Sequence, residues 1–340
     1  MAYIAQPAPR RRDTVSRGAM VLLLAGLVTV ALGLRLVGPG RVAWVQAGLI
    51  VFGGLVVQAL PFVLIGAFAS AVIEVFVPPS ALERLADLPK PLQLPAAGLA
   101  GIAFPICECG SVPVARRLMT KGLLPSAAIT FMLAAPVVNQ VVVASTFVAF
   151  RSRGSLWTMV IGRFTLGLVV AITVGWVLGG RSRGELLRSS AQGEDREHQH
   201  VELGRPEAKW RAFFVHLGND FLFMGRFLLL GATVAALVQT FLPQELVGRV
   251  AGVPILDIVV MMGLAAVLSL CSESDAFIAA SFVQFGVAAQ LAFLVFGPMV
   301  DFKLGALYAG TFCKRVLRTI VIAVAATTLV GALWIEVFRG

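Results

Sequence analysis

At residues 104–113 the chain reads Phe-Pro-Ile-Cys-Glu-Cys-Gly-Ser-Val-Pro, and this stretch interrupts an apolar segment that extends over residues 92–120. Pro105 lacks a backbone N–H and disfavours helix in the residue before it, so a first half-helix is predicted to end there. Ser111 is a good N-cap and Pro113 suits an opening helical turn, so a second half-helix is predicted to begin there. A membrane-spanning helix needs about 20 residues, and neither half reaches that length. The segment therefore predicts a broken, re-entrant helical hairpin inside a membrane.

The rest of the chain has the composition of an integral membrane protein. Its 340 residues are 58% hydrophobic and 14% charged, whereas soluble domains carry about 25% charged residues. Runs of about 18 or more apolar residues mark membrane spans. Spans are predicted at residues 19–38, 43–77, 125–150, 156–180, 213–242, 287–303 and 316–337, with a second broken segment at 254–284. This pattern predicts an all-α integral membrane protein and excludes a disordered chain or a soluble enzyme.

The net charge of +10 comes from basic residues that are concentrated in the tails and loops. Such a distribution is expected of cytoplasmic flanks that face anionic lipid, so the predicted partner is the lipid bilayer and not a nucleic acid. Residues 1–18 are interpreted as a basic cytoplasmic tail. Residues 181–211, with mixed charge, glycine and proline, are interpreted as a charged cytoplasmic linker. The predicted localisation is the inner membrane of a bacterial cell, with several passes.

Three landmarks recur in the same order in the two halves of the chain, which indicates an internal repeat. The paired landmarks are residues 62–67 and 227–232 at an offset of 165, residues 107–111 and 271–275 at an offset of 164, and residues 136–139 and 298–301 at an offset of 162. Between the span at 43 and its counterpart at 213 the chain crosses the bilayer three times. Because three is odd, the two copies are predicted to run in opposite directions.

The predicted architecture is therefore a pair of inverted repeats. Each repeat consists of a span, a broken re-entrant helical hairpin and two further spans, and an extra N-terminal span at residues 19–38 precedes them. The first transmembrane repeat is placed at residues 43–180 and the second at residues 213–340. Inverted repeats with broken helices are a recurring plan of transporters, in which the substrate is held near the midplane where the breaks meet.

The first interruption carries two thiols and a carboxylate. Cys107 and Cys109 are predicted to lie on unwound backbone just ahead of a helix N-terminus, which favours thiolate over thiol. Glu108 lies between them. Thiolates select soft ions such as Cu(I), Zn(II) or trivalent arsenic, and a carboxylate adds a proton acceptor or a harder ligand. The alternative is that these cysteines are inert packing residues, as most buried cysteines are.

The second interruption carries the equivalent residues. Ser274 or Asp275 can cap the helix that follows, which leaves Cys271 and Glu273 on the loop before it. If the two hairpins enter from opposite faces, their tips converge, and both sets of side chains form one cluster. The predicted substrate site is Cys107, Cys109, Cys271, Glu108 and Glu273, with the three cysteines as ligands if the substrate is a metal ion.

Other polar residues within the apolar segments are candidates for a pathway or for coupling, because charged groups in a membrane are costly. Asn139 and Asp301 follow the helix prolines Pro136 and Pro298, which leave carbonyl groups without their usual donors. These groups either line a pathway, together with Asp275 and Ser111, or belong to packing kinks in which Asn139 is bonded across helices. Asp220 and Asp257 are predicted to lie near span ends, in water or at the lipid interface.

Three further features carry little weight. His198 and His200 lie among charged residues and are interpreted as part of the solvated linker. Arg116, Arg117 and Lys121 suit the negative end of the short half-helix, with attraction of an anionic substrate as the alternative. The sequence has no P-loop and no Ser–His–Asp set, so nothing supports ATP-driven pumping or an enzyme of these classes, and no cofactor is predicted.

At these residues the sequence resembles the ArsP-type predicted permeases, a bacterial family that includes an organoarsenical efflux permease. The resemblance covers roughly residues 45–340 and rests on Pro105-x-Cys107-x-Cys109-Gly110-x-x-Pro113, Gly122, Phe131, Pro136-x-x-Asn139, Cys271-x-Glu273-Ser274-Asp275 and Pro298-x-x-Asp301. It implies proton-coupled or facilitated export, in which cysteines bind a soft metalloid such as trivalent methylarsenite. It does not separate arsenic from copper or zinc, because all three are thiophilic.

The leading functional hypothesis is a permease that exports a thiophilic ion or a small organometalloid by alternating access. Substrate would exchange onto Cys107 and Cys109, Cys271 or Glu273 would complete the site, and Glu108 or Glu273 would carry the coupling proton. The alternatives are an intramembrane thiol oxidoreductase that uses the Cys107/Cys109 pair and a membrane subunit of a multi-protein permease complex. The sequence is compatible with a homo-oligomer and with a partner subunit.

Overall fold

A computed structural model of the protein describes residues 43–77, 89–103, 106–180, 183–187, 206–241 and 254–339. The predicted tail at 1–18, the predicted span at 19–38 and both linker histidines lie outside these residues. The chain divides into two compact units, Met1–Ile50 and Val51–Gly340. The described part of the first unit is helical, and both interrupted segments belong to the second.

The described residues form thirteen α-helices. They are α1 Ala43–Phe76, α2 Lys90–Leu99, α3 Glu108–Thr120, α4 Pro125–Val138, α5 Gln140–Phe150, α6 Leu156–Leu178, α7 Arg183–Leu186, α8 Pro206–Phe241, α9 Pro254–Leu268, α10 Asp275–Ser281, α11 Val287–Phe296, α12 Phe302–Thr311 and α13 Lys314–Arg339. A 3-10 turn at Ala100–Ala103 extends α2. Helix α8 begins at Pro206, which lies inside the predicted linker. Proline favours the first helical position because its fixed φ angle already matches that of a helix.

Five stretches of the described residues are long and apolar enough to cross a membrane: Trp44–Phe76, Pro125–Phe150, Leu156–Leu178, Lys209–Thr240 and Lys314–Phe338. Shorter apolar helices accompany them at Leu92–Ala103, Ile255–Leu268 and Val287–Phe296. The prediction of an all-α, multi-pass membrane protein is confirmed. The stretch Pro125–Phe150 is the most buried of these five, since 78% of its most apolar window is buried.

Both segments predicted to be broken are broken. In the first segment the described residues 106 and 107, which precede α3, are not helical. In the second segment residues 269–274 separate α9 from α10. The prediction that Ser111 caps the second half-helix is wrong, because α3 begins at Glu108 with Cys107 as its N-cap residue. The Ser111 backbone N–H donates to the Cys107 carbonyl oxygen at 3.1 Å. An earlier start satisfies more backbone groups, which apolar surroundings demand.

Two segments predicted to be continuous are also interrupted. The first is 125–150, where α4 ends and α5 begins at Asn139, and the second is 287–303, where a turn that contains Pro298 separates α11 from α12. The Asn139 Oδ1 atom accepts the Val142 N–H at 2.9 Å. The Asp301 Oδ1 atom accepts the Leu304 N–H at 2.6 Å. Each of these side chains caps the helix that follows it. In both segments the helix is therefore interrupted where a proline is followed, three residues later, by a capping side chain.

Helices α1 and α8, which carry the first pair of repeat landmarks, run antiparallel. Leu55 of α1 clusters with Ala232 and Ala235 of α8. Towards the other end, the rings of Phe76 and Trp210 lie 5.9 Å apart. Oppositely oriented repeats require that these two helices run antiparallel. The boundaries of the two repeats stay predictions.

Candidate functional site

The two interrupted segments meet at their tips. The Ser272 hydroxyl donates a hydrogen bond to the Glu108 Oε2 atom at 3.2 Å. Glu108 is 1% exposed and Ser272 is 0% exposed, so the contact is shielded from solvent. We use the term tip cluster for Cys107, Glu108, Cys109, residues 271–275 and the side chains that contact them.

All three predicted cysteines lie in the tip cluster as buried free thiols. Cys107 precedes the first turn of α3, as predicted. The prediction that Cys109 also lies on unwound backbone is wrong, because the helix begins at Glu108 and Cys109 lies in its first turn. Cys107 is close enough to Cys109 and Cys271 to interact with both electrostatically. Within the described ranges, however, no group of three or more His, Cys, Asp or Glu side chains has the spacing of metal ligands. The thiols are neighbours, but they do not form a preassembled metal site.

The tip cluster contains a lysine that the sequence analysis missed. The Lys303 ammonium lies 3.5 Å from Glu108 Oε1, 3.8 Å from Asp301 Oδ2 and 4.0 Å from Cys271 Sγ. Lys303 is 1% exposed. The sequence could have indicated this lysine, because it lies two positions after Asp301 in an apolar segment. A buried basic residue in a membrane costs as much free energy as a buried acidic residue such as Asp301.

An arginine of α6, also missed, positions the second tip. Arg163 Nη2 donates to Asp275 Oδ2 at 2.8 Å and to the Ser272 carbonyl oxygen at 3.0 Å. Its Nη1 atom donates to Thr146 Oγ1 at 2.9 Å. Asp275 is therefore held in a buried ion pair that orients the tip. Ser274 precedes α10, and its hydroxyl accepts a hydrogen bond from Gln58 Nε2 at 2.8 Å instead of capping the helix.

Glu273 differs from the other carboxylates of the second tip. The residue is half-buried, whereas Asp275 is buried and paired with Arg163. The Glu273 Oε2 atom, like Asp275 Oδ1, is buried without a hydrogen-bond partner. An unpaired buried carboxylate oxygen carries a desolvation cost that a proton or a ligand relieves. Glu273 is thus the acid of the tip cluster that is most available to a proton or a substrate.

Asn139 and Asp301 occupy corresponding positions next to the tips. Asn139 Nδ2 donates to the Ile106 carbonyl oxygen at 3.4 Å and to the Ala135 carbonyl oxygen at 3.2 Å. Asn139 thereby joins the break between α4 and α5 to the backbone of the first tip. Asp301 faces Lys303 instead. The hydrogen bonds of Asn139 and Asp301 account for the helix breaks at these positions. A role of the two residues in a substrate pathway stays a prediction.

A second buried ion-pair group lies where α1, α3 and α8 meet. Arg117 Nη2 lies 3.3 Å from Asp220 Oδ1, and Arg117 Nη1 lies 3.7 Å from Glu74 Oε2. The Ser70 hydroxyl donates to Asp220 Oδ2 at 2.6 Å. The expectation that Asp220 is solvated or interfacial is wrong, because pairing with Arg117 compensates its burial.

Asp257 is also buried, at 7% exposure, which again differs from the expectation of a solvated or interfacial residue.

Lys121 donates to the carbonyl oxygens of Glu74 and Val77 at 2.6 and 2.7 Å, and so satisfies the C-terminal end of α1. Arg116 lies over the Phe223 ring, 5.1 Å from its centroid. These contacts give both cations structural partners.

A multi-pass helical protein in which two interrupted helices meet at their tips has the architecture of a membrane permease. The chain belongs to the ArsP_1 family, which is described as "Predicted permease" and whose model matches residues 46–337. The resemblance seen in the sequence is thereby confirmed.

Two relatives share the same level of identity with the chain. It is 36% identical over 288 residues to UPF0718 protein YcgR of Bacillus subtilis, which covers 84% of this chain and 96% of that protein. It is 36% identical over 258 residues to a Streptococcus mutans protein named "Putative two-component membrane permease complex subunit", which covers 75% of this chain and 83% of that protein. No solved structure matches the chain.

Proposed function

We propose that this permease moves a small thiophilic solute across a bacterial inner membrane by alternating access, with the tip cluster as the substrate site. The observation that carries the proposal is the contact between Glu108 and Ser272, because it joins the interruptions of both halves of the chain at a buried point. A site that is shared by two halves is exposed to one side or the other when the halves rock against each other.

The chemistry follows from the buried thiols at the tips. A trivalent organoarsenical with two hydroxyl groups condenses with Cys107 and Cys109, so that two arsenic–sulfur bonds form and two water molecules leave. No electron is transferred, and water reverses the exchange on the other side. Cys271 or Glu273 completes the site. Cu(I) and Zn(II) are alternative cargo, because thiolates bind them as well.

Glu273 and Glu108 are the proposed carriers of a coupling proton. Glu273 is half-buried and has a buried oxygen without a hydrogen-bond partner. Glu108 is the carboxylate that contacts both the other tip and Lys303. A proton that binds to Glu108 removes its attraction for Lys303 and weakens the contact between the tips. Proton binding and the rearrangement of the halves are coupled in this way.

The experiment is export measured as uptake into everted membrane vesicles, with methylarsenite, Cu(I) and Zn(II) as substrates. The double variant Cys107→Ser/Cys109→Ser is expected to lower the flux of the transported substrate by at least about tenfold. Cys313→Ser is the matched control, because Cys313 lies between α12 and α13 and donates to the Leu187 carbonyl oxygen instead of joining the tips. Unchanged flux of all three substrates in the double variant would refute the thiol site. Accumulation of a Cys107–Cys109 disulfide that cycles with quinone would favour the oxidoreductase.

A second proposal is that the permease works together with a partner subunit. The name of the Streptococcus mutans relative supports it, since that protein is called a subunit of a two-component permease complex. Gentle solubilisation and affinity purification from the native host test this proposal. A stoichiometric second protein is expected, and full transport by the purified chain alone in liposomes would contradict it.

A further inference from the structure

Lys303 places a positive charge among acceptors that a metal cation would use. Its ammonium is 3.5 Å from Glu108 on the first tip and 4.0 Å from Cys271 on the second. The third acceptor is Asp301, whose Oδ2 atom accepts no hydrogen bond and lies 3.8 Å from the ammonium. A carboxylate from each half and a sulfur atom thus surround one point, and the lysine occupies it.

The backbone that carries Lys303 is held in place. A Cβ atom built on Gly231 of α8 would lie 2.6 Å from the Lys303 Cα atom, so the two backbones are packed against each other. Asp301 caps α12 just ahead of the lysine. An incoming cation would therefore have to displace an ammonium that is tethered to a fixed helix and buried with its counter-charges.

The charge pair occurs in only one half of the chain. At the predicted offset of 162, Asp301 corresponds to Asn139 and Lys303 corresponds to Val141. Val141 is 46% exposed, whereas Lys303 is 1% exposed. The acid Asp301 and the base Lys303 are both present in the second half, and the corresponding positions of the first half carry neither an acid nor a base. The lysine is thus an added charge at the tip cluster and not part of the repeated framework.

We propose that Lys303 is a specificity-determining residue that excludes metal cations from the tip cluster and leaves it open to uncharged thiophilic solutes. Like charges repel strongly at such distances when water is excluded. An uncharged arsenical needs sulfur atoms only and leaves the lysine with its carboxylates. The proposal rests on the proposed function, since it specifies which thiophilic solutes the same site accepts.

The test is direct binding to the purified protein, with Zn(II) and methylarsenite titrated separately by calorimetry. Lys303→Met is expected to raise the ratio of Zn(II) affinity to methylarsenite affinity by at least about tenfold, and Lys303→Arg, which keeps the charge, is expected to preserve the wild-type ratio. Lys121→Met is the matched control, because it removes a lysine that binds only backbone carbonyls of α1. Its ratio is expected to equal that of the wild type.

Asp301→Asn/Lys303→Val keeps the folding question separate, because it gives the second half the neutral pair of the first and removes one acid together with one base, so that the net charge of the tip cluster is unchanged. Its affinity for Zn(II) is expected to exceed that of Asp301→Asn alone. Equal Zn(II) affinity in the wild type and in both lysine-free variants would overturn the proposal. A gain of Zn(II) binding without any methylarsenite binding in the wild type would uphold the role of Lys303 and refute the arsenical as substrate.

Discussion

Glu108 and Ser272 are equivalent residues of the two predicted repeats, and they touch. The hydroxyl of one lies 3.2 Å from the carboxylate of the other, across 164 positions of sequence. Equivalent residues of two copies contact each other only close to the axis that relates the copies. The contact therefore supports a pseudo-two-fold axis through the tip cluster, as expected for oppositely oriented halves that share one site.

The contact between the tips predicts a specific cross-link. Glu108→Cys/Ser272→Cys, made with all four native cysteines replaced by serine, is expected to be bridged by a short bifunctional thiol reagent. Mass spectrometry of the digested protein detects the bridged peptides. Each single variant and the detergent-unfolded double variant serve as controls and are expected to give none. Absence of the bridge in the folded double variant would contradict the contact.

Arg163 and Asp275 are expected to behave as a coupled pair. Arg163→Met leaves a buried carboxylate without its cation and is expected to lower the free energy of unfolding by about 3–5 kcal/mol. Arg163→Met/Asp275→Leu is expected to lose less than the sum of the single changes, because no unpaired charge is left. Denaturant unfolding in detergent micelles measures each value.

Arg153→Met is the control for that cycle, since Arg153 donates to the Ala280 carbonyl oxygen of α10 without an ion pair. Its loss is expected to be about 1 kcal/mol, the usual contribution of a hydrogen bond. Additive effects of Arg163→Met and Asp275→Leu would show that the pair is not coupled.

Gly66 is expected to tolerate no side chain. A Cβ atom there would overlap the Gly110 backbone of α3, so α1 and α3 would have to move apart. Gly66→Ala is expected to cost about 1–3 kcal/mol, as overpacking does. Gly53 of the same helix has open space around it, and Gly53→Ala is expected to be neutral or to stabilise by up to about 1 kcal/mol. Equal thermal unfolding midpoints of the two variants would contradict the close packing.

The two helix-capping residues are expected to respond differently to an exchange of acid and amide. Asn139→Asp removes the amide donor to Ile106 and Ala135 and buries a carboxylate, so a loss of more than about 3 kcal/mol is expected. Asp301→Asn also keeps a capping side chain, because Asn and Asp cap equally well. It leaves Lys303 with Glu108 as its counter-charge, so a smaller loss is expected. Denaturant unfolding compares the two. The opposite order would show that the pairing of Asp301 with Lys303 contributes more to stability than the amide donor of Asn139.

The sequence alone predicted the class of protein and the positions of the two tips. The length of an apolar run indicates a membrane span, and the polar residues near Cys107 and Cys271, with Pro105 before the first pair, indicate an interrupted helix. Both features can be predicted because they depend on residues that are neighbours in the sequence. The repeat also paired the two interruptions with each other, because the same landmarks recur in the same order in both halves. The N-cap of α3 was misplaced by four positions, at Ser111 instead of Cys107, since helix ends depend on which backbone groups find partners. The breaks within 125–150 and 287–303 were not predicted.

Tertiary structure alone decided which charges stabilise the tips. Lys303 neutralises Glu108 across 195 positions of sequence, and Arg163 holds the second tip from α6. The burial of Asp220 likewise depends on Arg117, which lies on another helix. A charge in a membrane is tolerated only beside its partner, and the partner is chosen by how helices pack rather than by how residues follow one another. Local sequence thus determined where the chain breaks, and packing determined which charges meet there.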